Sequence, residues 1–298
     1  MAGLPLYSQE GHFLDAPYNT AIKAVVDAAL FEDLAQGDVT TDNLPRLSEI
    51  KLTADIRVRQ DCVVSGLSVA TLVFHTVDPS LIMEPVVKDG DFVPAGTVIA
   101  WVSGPMAPIL KGERTALNFL QHLSGVATET RRFVEAIQGM HARITHTRKT
   151  TPGLRLLEQQ AVLHGGGMPH RFNLSSCVML KDNHLQALAK AGANPISDAI
   201  ADLRGHLSHT IKIEVEADRL DQVQQAVEAG ADIILLDNMS PETVKQALAI
   251  IQGRATSEAS GGIGLENVRE YAETGVDYIS TSKITLGVPA IDIGLDLD

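Results

Sequence analysis

Cysteine is scarce in this 298-residue chain: two residues, Cys62 and Cys177, stand far apart and form no C-x-x-C pair. That excludes a disulfide framework and a thiolate metal site, and leaves each thiol to act as a small buried hydrophobe. Aromatic residues make up only 4% of the chain, with one tryptophan, which suits an aliphatic α/β core better than a surface that stacks nucleic-acid bases. Positive charge is also short. Lys and Arg number 24 against 37 Asp and Glu, a net −13, so neither nucleic acid nor an anionic membrane is expected as a partner. No apolar run reaches the roughly 18 residues of a membrane span, and the N-terminus shows no charged-then-apolar signal pattern; a cytoplasmic protein is expected. Ten histidines include no H-E-x-x-H, against a zinc hydrolase.

What is present is enough apolar material, 45% of residues, to bury a large core in one big domain or two smaller ones. Residues 18 to 35 place Ile22, Val25, Val26, Ala29 and Leu30 at helical spacing, which predicts an amphipathic helix. Gly37-Asp38 breaks it, and Thr40-Thr41 are expected to begin an extended segment. From Lys51 to Ser103 short β-branched runs alternate, with turns at Asp89-Gly90 and Ala95-Gly96, predicting an antiparallel sheet with helices. A long helix is expected to open near Gly112, with Arg114 near its start.

Beyond Ala142 the texture becomes a repeated strand and helix. Strands are predicted at 142–147 and 175–181, then in T-I-K-I-E-V-E, D-I-I-L-L-D, A-T-S-E-A-S and Y-I-S-T-S. The last four end at Glu216, Asp237, Ser260 and Ser280, spaced by 21, 23 and 20 residues. One intervening helix has Ser240 as N-cap and Pro241 at its first position, with Val244, Ala247, Leu248 and Ile251 on one face. Six such units without a G-x-G-x-x-G fingerprint favour a parallel barrel over an open doubly wound sheet, and in either fold ligands sit at the carboxyl ends of the strands. Thr147-Arg148-Lys149, Lys181, Glu216, Asp237 and Ser260 all fall there.

The chemistry is concentrated in the same region. Between Arg131 and Lys181 eight Lys or Arg stand against Glu135 and Glu158, a local charge near +6 inside an acidic protein. Such an island focuses field on an anionic small molecule. Arg148 and Arg171 offer planar forks for carboxylate or phosphate; Lys149 and Lys181 add point charges. Glu216 and Asp237 end neighbouring strands, a pattern suited to a hard cation or to a developing positive carbon. Ser260-Gly261-Gly262 precedes a helix expected near Gly264, so its N–H groups suit a phosphate, and Thr281-Ser282 after the last strand suit the same group.

These residues carry a resemblance. T-R-K-T-T-P-G-L-R (Thr147 to Arg155), G-G-G-x-x-H-R (Gly165 to Arg171) and L-K-D-N-H (Leu180 to His184) resemble the quinolinate phosphoribosyltransferases, as do E-D-L-x-x-G-D-V-T-T, G-E-R-T-A-L-N-F-L-Q-x-L-S-G, E-V-E, L-D-N-M and E-A-S-G-G elsewhere. The resemblance implies an N-terminal α+β sandwich domain (1–116) followed by an α/β barrel (117–286), with the tail 287–298 returning to the first domain. It implies transfer from 5-phosphoribosyl 1-pyrophosphate to quinolinate with decarboxylation, with Mg2+, in a homodimer or an assembly of dimers. Residue by residue, Arg148, His170, Arg171 and Lys181 would hold the quinolinate carboxylates, with Arg114 reaching in from a second subunit. Lys149 would meet the pyrophosphate side, Glu216 and Asp237 the ribose hydroxyls and magnesium, and Ser260, Gly261 and Gly262 the 5-phosphate. Three departures stand out: His146 in place of the usual Asp, Pro169 in place of Asn, and T-S-K-I-T-L-G (Thr281 to Gly287) in place of V-G-A-L-T-H-S, where Thr281 and Ser282 would supply the missing donors.

Three other readings remain open at the level of residues. A paralogue of the molybdenum-associated branch would use another acceptor. An aldolase-type barrel would form a Schiff base at Lys149 or Lys181, which borohydride trapping would reveal. A silent anion-binding protein would need neither Glu216 nor Asp237.

Overall fold

The structure, a computed structural model, describes residues 16–190 and 195–297; residues 1–15 of the expected first domain and Asp298 of its tail lie outside the described residues. In chain order the elements are α1 (Ala16–Leu34), β1 (Lys51–Val58), β2 (Cys62–Val63), α2 (Leu67–Val77), β3 (Ile82–Pro85), β4 (Phe92–Val93), β5 (Val98–Pro105), α3 (Met106–Ala136), β6 (Arg143–Thr145), α4 (Arg155–His164), β7 (Val178–Leu180), α5 (Asp182–Lys190), α6 (Pro195–His206), β8 (Ile213–Ala217), α7 (Leu220–Glu228), β9 (Ile233–Asp237), α8 (Pro241–Ile251), β10 (Thr256–Ser260), α9 (Val268–Ala272), β11 (Tyr278–Ser280) and β12 (Ile293–Leu297). They divide into two compact units, one taking in the chain up to Glu129 with Thr151–Gly166 and the tail from Gly287, the other Thr130–Thr150 with Gly167–Leu286. The sequence-based boundary at 116/117 falls inside α3, a single 31-residue helix.

The first unit is built on an antiparallel sheet in the order β12-β1-β5-β3. Alternation in β1 buries Ala54, Ile56 and Val58 while Asp55 and Arg57 face outward as an ion pair. The tail strand β12 lies antiparallel to β1, with Ile293 opposite Val58. Helix α1 buries Ile22, Val26 and Leu30 as its spacing requires. Two sequence expectations fail here for local reasons. Thr40-Thr41 do not start a strand, because the Asp38 carboxylate accepts both of their N–H groups and 3-10 turns follow at Thr41–Asn43 and Pro45–Ser48. Helix α3 opens at Met106 rather than near Gly112, since Pro108 in a first turn has no N–H to leave unpaired.

The second unit holds six parallel strands in the order β6-β11-β10-β9-β8-β7. In five of the six strands one side is aliphatic and fully buried, with Ile144, Ile213, Val215, Ile234, Leu236, Ala259 and Ile279, under helices that include α7 and α8. The alternate positions are mostly polar, with Thr145, Glu214, Glu216, Asp237, Glu258, Ser260 and Ser280, and Ile233 and Leu235 on β9 are apolar exceptions. Thr145, Glu214, Ile233, Thr256, Glu258 and Tyr278, one or two from each of five strands, line one cavity of about 420 Å³ together with Cys177 just before β7. Strands from both ends of the sheet facing one cavity means that it curls into a barrel. Among the described residues no ladder joins β6 to β7. Instead Met168 bridges to Thr145, and Arg171 donates to the Cys177 carbonyl (3.1 Å) and the Met179 sulfur (3.1 Å). Helix α8 starts as its sequence requires, with Ser240 Oγ accepting from Thr243 N at 3.2 Å and Pro241 at the first position.

Candidate active site

The barrel gathers the strand-end residues by parallel register. Asp237 lies opposite Ser260, and Ser260 opposite Ser280, so the carboxyl ends of β9, β10 and β11 are level. On the next strand Glu216 pairs with Leu235, one inward position below Asp237. Lys181, just past β7, places its ammonium 2.7 Å from Glu216 Oε2. Burial raises the Asp237 carboxyl above its ordinary range, and the charge of Glu216 adds to this; the Asn238 amide, Lys181 and Lys149 oppose it. Two carboxylates and two ammonium groups therefore share one field at this end of the barrel.

After β6 the chain turns so that Lys149 N donates to Thr147 Oγ1 (3.0 Å) and Lys149 O accepts from Thr285 Oγ1 (2.8 Å). This fixes the backbone of Arg148, whose buried Nε has no hydrogen-bond partner among the described residues. Arg171 is held below its ordinary range by burial, with Glu214 opposing the shift and Arg148 adding to it. The two guanidiniums thus feel each other.

The glycine loop is shaped by a specific contact. Asn238, in the left-handed region at φ 53°, donates from Nδ2 to Asp237 Oδ2 (2.7 Å) and from its backbone to Ser260 O (2.8 Å). A side chain on Gly261 (φ 93°) would collide with that Asn238 amide, whereas Gly262 (φ 66°) faces open space. The helix expected near Gly264 begins later, at Val268, because Asn267 Oδ1 takes the Gly264 N–H (2.9 Å) and a turn intervenes. Any phosphate cradle here is therefore the loop Ser260-Gly261-Gly262 itself and not a helix end. Thr281 is also placed differently from expectation: it is buried, its hydroxyl donates to Ile263 O (2.9 Å) and accepts from Lys283 N (3.1 Å), so it stitches the barrel and Ser282 is the half-buried hydroxyl of the pair.

Beneath these residues lies a set of which the sequence reading assigned a role only to His170, as a holder of the quinolinate carboxylates; its backbone N–H and both ring nitrogens are instead engaged within the protein. His170 Nε2 stands 3.2 Å from Glu258 and 3.9 Å from Glu214, and its Nδ1 accepts from Arg171 N at 2.7 Å. His146, fully buried, accepts from His170 N through Nε2 at 3.1 Å. Burial alone would lower the His170 imidazole; the hydrogen bond and charge of Glu258, and then Glu214, outweigh it and raise it. Because Nδ1 is spent as an acceptor, the ring proton belongs on Nε2, facing Glu258. Glu214 is pushed up to about 7 by burial and the charge of Glu258, against His170, Arg171 and Lys181. The signal for these acids was available as period-2 alternation in I-E-V-E and S-E-A-S, which puts Glu214 on the face of Glu216 and Glu258 on the face of Ser260. Cys177, expected to be buried, is half-exposed, and burial still pushes its thiol up to about 11.

The structure thus brings Arg148, Lys149, His170, Arg171, Lys181, Glu216, Asp237, Ser260, Gly261, Gly262, Thr281 and Ser282 into one unit, while Arg114 lies exposed on α3 in the other. Family models described as the quinolinate phosphoribosyl transferase N-terminal and C-terminal domains match residues 38–124 and 126–296. A probable nicotinate-nucleotide pyrophosphorylase [carboxylating] of Bacillus subtilis is 38% identical over 276 residues, covering 93% of each chain. The chloroplastic nicotinate-nucleotide pyrophosphorylase [carboxylating] of Arabidopsis thaliana is 38% identical, over 93% of this chain and 83% of that one. A solved structure of the nicotinate-nucleotide pyrophosphorylase from Francisella tularensis superposes with a TM-score of 0.89 at 35% identity, covering 98% of this chain and all of the other. With both domain models matched end to end and relatives this similar along nearly its whole length, the chain belongs to the quinolinate phosphoribosyltransferase family.

Proposed function

We infer that this enzyme joins quinolinate to 5-phosphoribosyl 1-pyrophosphate and decarboxylates the adduct, giving nicotinate mononucleotide, pyrophosphate and carbon dioxide, a step of NAD biosynthesis. The observation that carries this is one barrel holding an arginine fork in its interior, a Glu216–Asp237 carboxylate pair at the carboxyl ends of its strands and an open glycine loop beside that pair. These match, in order, a dicarboxylic acid, a cation-like ribosyl carbon and a phosphate. The ring nitrogen of quinolinate attacks C1 of the ribose as the C1–oxygen bond to pyrophosphate breaks through an oxocarbenium-like state, next to which Glu216 and Asp237 place negative charge. The pyridinium nitrogen then holds the electron pair left on C2 when its carboxylate departs as carbon dioxide, and a proton takes that pair. Arg148, Arg171 and Lys181 orient the acid, and Lys149 faces the pyrophosphate.

Magnesium fits the donors present. Glu216 and Asp237 are hard oxygen ligands; burial and then the charge of Glu216 hold the Asp237 carboxyl up, and an ion between them would relieve the repulsion. When bound, the ion would help neutralise the departing pyrophosphate. Exposed Arg114 is proposed to serve the site of a second copy, which makes the working enzyme at least a homodimer. A cytoplasmic location belongs to the same proposal, supported by two unpaired cysteines. The test is turnover of quinolinate with the phosphoribosyl donor, following carbon dioxide and pyrophosphate together; one-to-one release supports the reading, and release of neither refutes it.

A further inference from the structure

The acids inside the barrel have no role in the reaction as written, yet they are held at a cost. Glu214 is 1% exposed and Glu258 5%, and both oxygens of Glu214 and Oε1 of Glu258 lack a hydrogen-bond partner among the described residues. Buried carboxylates so placed usually destabilise a fold relative to neutral side chains of similar size. Their surroundings show what they act on. Every polar atom of the His170 backbone N–H and ring is spent inside the protein: its N–H on His146 Nε2, its Nδ1 on the Arg171 N–H, its Nε2 toward Glu258 Oε2. Arg171 in turn reaches across to β7 with its two terminal nitrogens, leaving a buried Nε without a partner among the described residues.

We propose that Glu258, backed by Glu214, is a positioning residue for the acid-binding end of the site. By accepting the Nε2 proton of His170 it selects the tautomer whose Nδ1 receives the Arg171 N–H, and its charge with that of Glu214 offsets the Arg171 guanidinium. Arg171 is thereby held in place before the dicarboxylate arrives. His146 completes the clamp from the β6 side; it stands where Asp is usual in the family pattern, and as a neutral imidazole it accepts the same kind of backbone hydrogen bond without adding a third buried negative charge. Ligand atoms of His170, Glu214 and Glu258 lie within 4.8 Å of one another, a spacing that also suits a metal ion. His170 and Arg171 already act on both carboxylates and Lys181 on Glu214, so the pair is served without an ion. This inference rests on the phosphoribosyl-transfer reading of the site.

The test is steady-state kinetics of Glu258→Ala and Glu258→Gln beside the wild type, with thermal unfolding and metal content of each. Loss of a supporting hydrogen bond of this kind costs about 10- to 100-fold. For Glu258→Ala that loss is expected in KM for quinolinate, with kcat and KM for the phosphoribosyl donor within about threefold. Glu258→Gln keeps the acceptor and the volume, so it should recover most of the loss while unfolding no lower than the wild type. A folded Glu258→Ala with unchanged KM for quinolinate would overturn the proposal, as would equal losses in both KM values and kcat that track a lowered unfolding midpoint. A metal ion present one-to-one in the wild type and absent from Glu258→Ala would overturn it too. A wild type that turns over no quinolinate would sink the reaction itself; an active wild type with an indifferent variant sinks only the positioning role.

Discussion

Two adjacent glycines offer a matched pair in which the structure predicts different outcomes for the same chemical change. Gly261 and Gly262 both have positive φ, 93° and 66°, so alanine at either meets backbone strain of about 1–2 kcal/mol, partly offset by the reduced freedom of its unfolded chain. For Gly262→Ala nothing else intervenes, because the space around its added methyl is open; a net loss of about 1 kcal/mol is expected. For Gly261→Ala the methyl lies against both the side chain and the backbone nitrogen of Asn238. Moving Asn238 breaks its 2.7 Å hydrogen bond to Asp237, a charge-assisted contact that would be worth about 1.5–3 kcal/mol if buried. Asn238 is exposed, so about 1 kcal/mol is the fair share and the total comes to about 2–3 kcal/mol. Urea unfolding of both variants measures the difference directly. The Asn238 amide also lowers the Asp237 carboxyl, so its loss raises that group further. An ionised Asp237 is then lost at a higher pH as acid is added, and the acid limb of kcat should move to higher pH in Gly261→Ala alone. Equal destabilisation by the two alanines, or an acid limb that moves in neither, would refute this account of the loop.

Lys181→Ala should raise KM for quinolinate by about tenfold, the low end for a charged hydrogen bond, because Lys181 is 44% exposed and already engaged by Glu216; an unchanged KM removes Lys181 from the acid site. Asp237→Asn should lower kcat with a smaller effect on quinolinate affinity, since its charge matters most as pyrophosphate leaves; a change confined to KM contradicts that role. Arg114→Ala and Lys181→Ala proteins, assayed at quinolinate well below the wild-type KM where each is weakly active, should regain roughly one quarter of wild-type activity on co-refolding, since about half the dimers are mixed and half the sites in those are whole; differential tagging confirms the mixed dimers, and no gain over the separate variants would place Arg114 outside a shared site. Glu214, with its folded-state carboxyl raised to about 7, binds more protons folded than unfolded between its ordinary value and 7, so its contribution favours folding at low pH and fades as pH rises through that window. Glu214→Gln should therefore be more stable relative to the wild type at pH 8 than at pH 5, and urea titrations showing no such pH dependence would contradict the assigned shift.

Much of this protein is legible from residues in sequence. The 20- to 23-residue spacing of strand ends, the Ser240-Pro241 helix start and the helical spacing in α1 are local or periodic properties, set by backbone geometry that neighbours alone impose. Charge clustering likewise marked Arg148, Lys149, Arg171 and Lys181 as a group. The sequence was less informative where a short-range preference meets a long-range partner. Thr40-Thr41 look extended until Asp38 captures their N–H groups, and Thr281 looks like a phosphate donor until the barrel brings Ile263 O to its hydroxyl. The role of Glu214 and Glu258 needed closure of the barrel, because only a curled sheet sets β8 and β10 around the His170 ring; along the chain these residues are 44 and 88 positions from it. The sequence by itself determined the order of strands and helices in the second unit and the strand ends that carry Glu216, Asp237, Ser260 and Ser280, since these depend on periodicity and local sterics. Tertiary structure alone decided which polar groups face the site and which hold it from beneath, since burial and electrostatic coupling arise only when distant strands share one low-dielectric interior.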